Sequence, residues 1–441
     1  MELRGKRVMV VGLGVSGAAA AHFLHARGAS LVLSDVRRAM ETAALPPGEL
    51  RLGGEDPAWL GGVELVVASP GVPPASALLA EADRRGIPVI GELELGGRFV
   101  RAPIVAVTGT NGKSTVTTLV AEILKAAGRR VFVGGNLGTP LVEAAGLELD
   151  AVVVEVSSFQ LERIASFKPH VAVHLNLAED HLDRYRDFAD YARTKARLFL
   201  NQDRADWAVL NRDDPMVWRL RSALAARVMS FGLGPAASAA AIGYDGRDLI
   251  FDDGGRRAGR ISLAQFRLAG RHNVANAMAA AGAALAMGVE PAAIEAALAT
   301  FRALPHRMEF VDERAGVAWI DDSKGTNVAS VVEALAATRA PVILIAGGMD
   351  KGGDYAPLRA PLKEKVRLLI LIGAARDKMR AALEGATQIE LRQTLDEAVR
   401  CAAAAARGGD TVLLSPACSS FDQFRSYAER GRIFQELVRA L

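Results

Sequence analysis

Short β-branched runs alternate with helix-spaced apolar positions along almost the whole chain, a rhythm that predicts parallel sheets covered by helices. Arg7-Val8-Met9-Val10-Val11 opens the pattern as a strand running into a glycine turn, and Ile104-Val105-Ala106-Val107 restarts it in the same way. Val342-Ile343-Leu344-Ile345, Leu368-Leu369-Ile370-Leu371-Ile372 and Thr411-Val412-Leu413-Leu414 read as the buried strands of a third unit. The expected fold class is α/β, in three domains, each a mainly parallel sheet flanked by helices. Residues 91–103 form one junction and residues 301–306, with Pro305, the other, giving expected domains 1–92, 93–303 and 304–441. Between about 211 and 262 the pattern is irregular and rich in Gly and Asp. Short antiparallel strands and no catalytic residues are expected there.

Length agrees with this division, since 441 residues is about three domains of ~150. A formal net charge of +3 gives no reason to expect nucleic acid or a membrane surface as partner. Two cysteines, Cys401 and Cys418, exclude a disulfide framework and a four-cysteine zinc site. The first residues enter an apolar run without a signal-peptide pattern, and the Ala-rich stretch 277–289 is shorter than the ~20 residues a membrane span needs. A cytoplasmic protein is expected.

The candidate chemistry lies where strands end. Gly12-Leu13-Gly14-Val15-Ser16-Gly17 follows the first strand, and Asp35 closes the next, Leu31-Val32-Leu33-Ser34-Asp35. Glycines there permit a tight turn and close approach of a pyrophosphate to a helix N-terminus, so the residues by themselves read as a dinucleotide site. Thr108-Gly109-Thr110-Asn111-Gly112-Lys113-Ser114-Thr115 follows the second. Its backbone N–H groups suit phosphates, Lys113 the outer phosphates, and the Ser114 hydroxyl Mg²⁺. The first glycine of the general phosphate loop would fall at Val107, but Gly-x-x-Gly-Lys-Ser remains. Glu155 ends Ala151-Val152-Val153-Val154 and offers a hard oxygen to Mg²⁺, while Ser157 or Ser158 suits a helix cap. A pyridine-nucleotide oxidoreductase would leave residues 108–115 and Glu155 without a role.

Other motifs are ambiguous one at a time. In Asn176-Leu177-Ala178-Glu179-Asp180-His181, composition alone makes Asp180 a helix cap and His181 an unusual ligand for a hard ion. Lys195 reads as a solvated helix lysine. Asn273 and Asn276 share one helix face and suit either caps or an adenine edge. Leu304-Pro305-His306-Arg307, Asp321-Asp322-Ser323-Lys324-Gly325-Thr326-Asn327, Gly347-Gly348-Met349-Asp350-Lys351-Gly352 and residues 414–424 are candidate rim loops. Cys418 reads as a small buried thiol.

In this order, from Gly12 to Phe424, the motifs resemble those of the Mur ligase family. The likeness is nearest to members that add D-glutamate to UDP-N-acetylmuramoyl-L-alanine in peptidoglycan synthesis. It implies a Rossmann-like N-terminal domain for the UDP-substrate, a P-loop ATPase-like centre, and a C-terminal domain resembling a dinucleotide-binding fold. The Gly12 turn would then hold a UDP-sugar rather than NAD, through Val15, Ser16, Asp35, Arg37, Gly71, Asn136, Ser157 and Gln160. The implied ATP set is Gly112, Lys113, Ser114, Thr115, Asn273, Asn276, Arg307, Asp322 and Lys324. Two Mg²⁺ ions would meet Ser114, Glu155, His181 and Lys195, the lysine carbamylated by CO₂, with Lys113, Glu155, His181 and Lys195 as the catalytic set. Thr326, Lys351, Ser420, Phe421 and Tyr427 fall at the D-glutamate positions, Phe421 and Tyr427 standing where Leu and Phe are expected. The implied reaction is amide formation through an acyl phosphate, with domain closure and a monomeric chain.

Overall fold

The computed structural model describes residues 1–236, 240–255, 257–268 and 270–441. The chain divides into two compact units, one of residues 1–177, 192–266 and 275–300, the other of 178–191, 267–274 and 301–441. Among the described residues the first unit holds two sheets and the second unit one. All three are mainly parallel, with helices between successive strands.

The first sheet has five parallel strands in the order Glu49–Leu52, Ser30–Asp35, Arg7–Val11, Leu65–Ala68, Val89–Gly91. Val8, Met9 and Val10 of its central strand are buried on both faces, which is why that stretch reads as an unbroken apolar run. The strand order reverses about this central strand. Its exit therefore opens a crevice at the carboxyl ends, where ligands bind in open α/β sheets.

The second sheet repeats the device. Ile104–Thr108 lies between Ala151–Glu155 and Val171–His174, parallel to both. Register sets Val107 beside Glu155 and Thr108 beside His174, so three strand ends meet at one place. Beyond Trp207–Asn211 the sheet departs from the sequence expectation. Arg227–Phe231 pairs parallel with Trp207–Asn211, and Ala240–Tyr244 parallel with Arg227–Phe231. Only the pairs among Ala240–Tyr244, Asp248–Asp253 and Ala258–Ser262 are antiparallel. Arg227–Phe231 has buried Met229, Ser230 and Phe231 at its end, so it extends the parallel core instead of forming a surface hairpin.

In the second unit the order is Glu309–Arg314, Val317–Asp321, Thr411–Leu414, Val342–Gly347, Val366–Ile372, Gln388–Leu391, with only the first pair antiparallel. The three strands expected from sequence are present. The adjacent ends of Val317–Asp321, Thr411–Leu414 and Val342–Gly347 deliver residues 322–327, 415–421 and 348–351 to one rim. No helix among the described residues is long and apolar enough to cross a membrane.

The first junction contains a helix, Glu92–Gly97, anchored by two buried carboxyls. Glu94 accepts from the backbone N–H groups of Ala165, Ser166 and Phe167 and from the Ser166 hydroxyl. Glu92 accepts from the Val142 N–H at 2.8 Å, while its Oε2 is buried without a partner. Burial pushes the Glu92 carboxyl up to about 7. A raised acid disfavours the folded state once ionised, so stability falls as pH rises from about 4.5 through about 7, by about 3 kcal/mol in all. Glu92→Gln should therefore raise the thermal midpoint at pH 8 and gain little near pH 5. An equal gain at both pH values would show that Glu92 does not titrate in this range.

Candidate functional site

The crevice of the first sheet is a cleft of about 570 Å³. Val15, Ser16, Asp35, Arg37, Gly71, Asn136 and Gln160 line it, seven of the eight residues expected for the UDP-substrate. The eighth, Ser157, caps the helix Ser158–Leu161, its hydroxyl accepting from the Gln160 N–H while the Gln160 side chain accepts from the Ser157 N–H. The glycine turn is sterically required. Gly12 has φ +83°, and a Cβ at Gly17 would come within 1.8 Å of the Gly12 carbonyl oxygen. Helix Val15–Ala26 starts at Gly14 without a side-chain cap, and Gly14, Val15 and Ser16 at its N-terminus line the cleft. Asp35 accepts from the Leu13 N–H at 2.8 Å and from the Arg37 guanidinium at 2.7 and 2.8 Å. Those bonds hold its carboxyl down at about 2, fixing the turn and Arg37 together.

The phosphate loop of the second sheet begins the helix Lys113–Ala126. Gly112 is left-handed at φ +84°, and a Cβ there would lie 2.5 Å from Oδ1 of Asn276, so the loop packs directly on that asparagine. Lys113 Nζ donates to the carbonyls of Gly109 and Thr110 at 3.0 and 2.7 Å. Buried Glu155 accepts from Ser114 Oγ at 2.5 Å on one carboxylate oxygen and from Asn136 Nδ2 at 2.6 Å on the other. A carboxylate and a hydroxyl at this spacing are hard oxygen donors, the set Mg²⁺ prefers. Asn136 also lines the first cleft, so Glu155 links that cleft to the phosphate loop.

Lys195 corrects the sequence reading. It is buried, and its ammonium donates to the Gly109 carbonyl at 2.8 Å. His174, which the sequence did not single out, is fully buried at the neighbouring strand end, with neither ring nitrogen hydrogen-bonded. Burial, followed by the charges of Lys195 and Lys113, lowers its pKa to about 3, so the ring is neutral.

In the second unit, a cleft of about 350 Å³ is lined by Asp180, Thr326, Asn327 and Lys351 among others. Lys351 Nζ donates to Asp180 Oδ1 at 3.0 Å, and Asn327 Nδ2 to Asp180 Oδ2 at 3.4 Å. Asp180 is therefore not the helix cap that composition suggested; the next helix begins only at Phe188. His181 follows with φ +56° and its Nε2 3.7 Å from Asp180. Such a backbone in a non-glycine residue is stored strain of the kind that collects at functional loops. The same holds for His306 and Met308, at φ +60° and +47°, which flank Arg307. His306 Nδ1 lies 2.7 Å from Asp321, pinning that loop. Asp322 accepts from the Ser415 hydroxyl at 2.7 Å and from the Met308 N–H at 3.3 Å; burial raises its carboxyl to about 6. Ser420 is buried and Phe421 exposed. Lys324 Nζ donates to the Tyr427 hydroxyl at 2.9 Å. Burial pushes the Cys418 thiol up to about 11, as befits a packing residue.

Three family models match in order: the Mur ligase MurD-like N-terminal domain over residues 6–91, the Mur ligase middle domain over 107–284, and the Mur ligase glutamate ligase domain over 306–418. The UDP-N-acetylmuramoylalanine–D-glutamate ligase of Syntrophotalea carbinolica is 48% identical over 446 residues, covering 100% of this chain and 99% of its own. That of Geotalea uraniireducens is 48% identical over 454 residues, with 100% and 99% covered. The chain belongs to the Mur ligase family. The fold agrees: UDP-N-acetylmuramate–alanine ligase from Thermotoga maritima superposes with a TM-score of 0.63 at 18% identity, covering 98% of this chain and 99% of that one.

In this Mur ligase the expected residues fall into two groups. Val15, Ser16, Asp35, Arg37, Gly71, Asn136, Ser157, Gln160, Gly112, Lys113, Ser114, Thr115, Glu155, Lys195 and Asn276 belong to the first unit. His181, Asn273, Arg307, Asp322, Lys324, Thr326, Lys351, Ser420, Phe421 and Tyr427 belong to the second. Helix Arg271–Ala286 carries both Asn273 and Asn276. Arg430 was missed altogether. It occupies the buried face of helix Tyr427–Arg439 with Phe434 and Val438, spaced four residues apart. A charged residue at that spacing was the available signal.

Proposed function

We propose that this Mur ligase adds D-glutamate to UDP-N-acetylmuramoyl-L-alanine in the cytoplasm, driven by ATP, as a step of peptidoglycan synthesis. The observation that carries the reading is Glu155, which joins the hydroxyl of the phosphate loop to Asn136 of the UDP-substrate cleft. It supports the reading because one carboxylate touches both the phosphate loop and that cleft.

The division into domains 1–92, 93–303 and 304–441 follows the three sheets: substrate recognition, ATP chemistry and amino-acid recognition. Val15, Ser16 and Gly71 hold the UDP-sugar, with Asp35 and Arg37 at the base. Gly112, Lys113, Ser114, Thr115, Asn273, Asn276, Arg307, Asp322 and Lys324 are the residues for ATP. Ser114 and Glu155 hold Mg²⁺, which offsets phosphate charge when bound; His181 and a carbamylated Lys195 serve a second ion. Carbamylation would turn this buried cation into a carboxylate while keeping one N–H for the Gly109 carbonyl to which its ammonium donates.

The muramoyl-alanine carboxylate attacks the γ-phosphorus and ADP leaves. Lys113 and Lys324 offset the charge spread over the transferring group. The D-glutamate amine attacks the acyl phosphate, phosphate departs, and the amine loses a proton as the amide forms. Lys351, whose ammonium pairs with Asp180 at 3.0 Å, is the cation for a glutamate carboxylate. Thr326, Ser420 and Phe421 complete that site.

The test is phosphate release from ATP and Mg²⁺ with UDP-N-acetylmuramoyl-L-alanine and each of several amino acids in turn. Release that requires both the UDP-substrate and D-glutamate is expected. Release with a different amino acid would move the chain to a sister specificity. Nucleotide turnover independent of any carboxylate substrate would overturn the ligase reading.

A further inference from the structure

Tyr427 stands at one of the positions assigned above to the amino acid, yet its hydroxyl is engaged by a cation. It accepts a hydrogen bond from Lys324 Nζ at 2.9 Å, and the ammonium lies 4.4 Å from the centre of the same ring. No carboxylate lies within ion-pair distance of Lys324 among the described residues. The lysine is thus a half-buried cation with one side-chain partner, a neutral phenol. The backbone on both sides is fixed. Lys324 N–H donates to the His306 carbonyl at 3.0 Å, and the Ser323 hydroxyl donates to the Tyr427 carbonyl at 2.7 Å.

Chemistry follows from the direction of this bond. An ammonium has three donors and no acceptor, so the phenol oxygen must accept. The phenol's own hydrogen stays available, and donating to an anion becomes easier when its oxygen already accepts from a cation. A phenylalanine at 427 would keep the ring under the ammonium but leave the cation free to swing about its four-carbon stem. We propose that the Tyr427 hydroxyl is a positioning residue for Lys324, aiming its ammonium at a phosphoryl oxygen, and is not a D-glutamate ligand. The proposal deepens the reading above and rests on its assignment of Lys324 to the phosphate.

Tyr427→Phe removes one oxygen atom and keeps the ring, so the fold persists. Hydrogen bonds to charged groups set the scale of the effect. The variant should bind a non-hydrolysable ATP analogue about tenfold more weakly and turn over about tenfold more slowly, with the D-glutamate KM unchanged. In a Lys324→Met background the same change should have no effect. A rise confined to the D-glutamate KM would overturn the proposal and return Tyr427 to the amino-acid site. An equal loss in the Lys324→Met background would also overturn it, since the hydroxyl would then act without the lysine. Analogue binding is measured without any acceptor, so it decides the matter even if wild-type protein fails to use D-glutamate, which would count only against the proposed substrate.

Discussion

Glu155→Gln should slow ATP-dependent amide formation by about a hundred- to a thousandfold without unfolding the chain. Glutamine keeps the shape and an acceptor oxygen. It loses the charge and replaces one acceptor with an NH₂ group. Glu155 now accepts from Ser114 on one side and Asn136 on the other. In the variant one of those donors would face another donor, unless the Ser114 hydroxyl rotates to accept. Loss of the charge weakens the affinity for a divalent cation at the end of the phosphate loop. Part of the lost rate should therefore return at high Mg²⁺, and the Mg²⁺ concentration for half-maximal phosphate release should rise. An unchanged Mg²⁺ dependence would remove Glu155 from the metal site and leave it only as the anchor of Asn136.

Much of this site was legible because it is local. Strand, glycine turn and helix follow one another within about ten residues in both Gly12-Leu13-Gly14 and residues 108–115, and backbone geometry alone forces glycine at 12 and 112. Glu155 was legible because it closes a short β-branched run, which reads as the end of a buried strand. What escaped was non-local. Lys195 sits on a helix whose spacing shows a buried face but not that Gly109, 86 residues away, supplies the acceptor. The Lys351–Asp180 pair spans 171 residues. His174 ends a buried strand, and nothing in Val171-Ala172-Val173-His174 announces that its ring lacks a partner. Nothing in Glu92-Leu93-Glu94 announces that the N–H groups at 142 and 165–167 fold onto the two carboxylates. Polar residues are placed by their partners, and the partners are chosen by the tertiary fold.

Arg430 carries that lesson furthest, and replacing it should have the largest effect on the second unit. Its guanidinium is buried, and burial lowers its pKa to about 10, leaving it charged at neutral pH. It donates to the Ser323 hydroxyl and carbonyl at 3.0 and 2.9 Å, to the Cys418 carbonyl at 3.3 and 3.4 Å, and to the Ser419 carbonyl at 3.4 Å. Ser419 in turn exchanges backbone hydrogen bonds with Met349 at 2.9 and 3.1 Å. One side chain thus ties residues 322–327, 348–351 and 415–421, the three loops of the rim. Arg430→Met fills the volume but leaves the buried carbonyls of Ser323 and Cys418 unmet, at about 1–3 kcal/mol apiece before relaxation, while the Ser419 carbonyl keeps its bond from the Met349 N–H. A loss of several kcal/mol in the unfolding of this unit is expected, with faster amide exchange at 323 and 418–420. Arg430→Lys keeps the charge but not the planar fork, and a single ammonium cannot reach both sides of the rim at once, so rescue should be small. Full rescue by lysine would show that charge is what matters here. Unchanged stability of the methionine variant would show that the rim loops hold one another without the arginine.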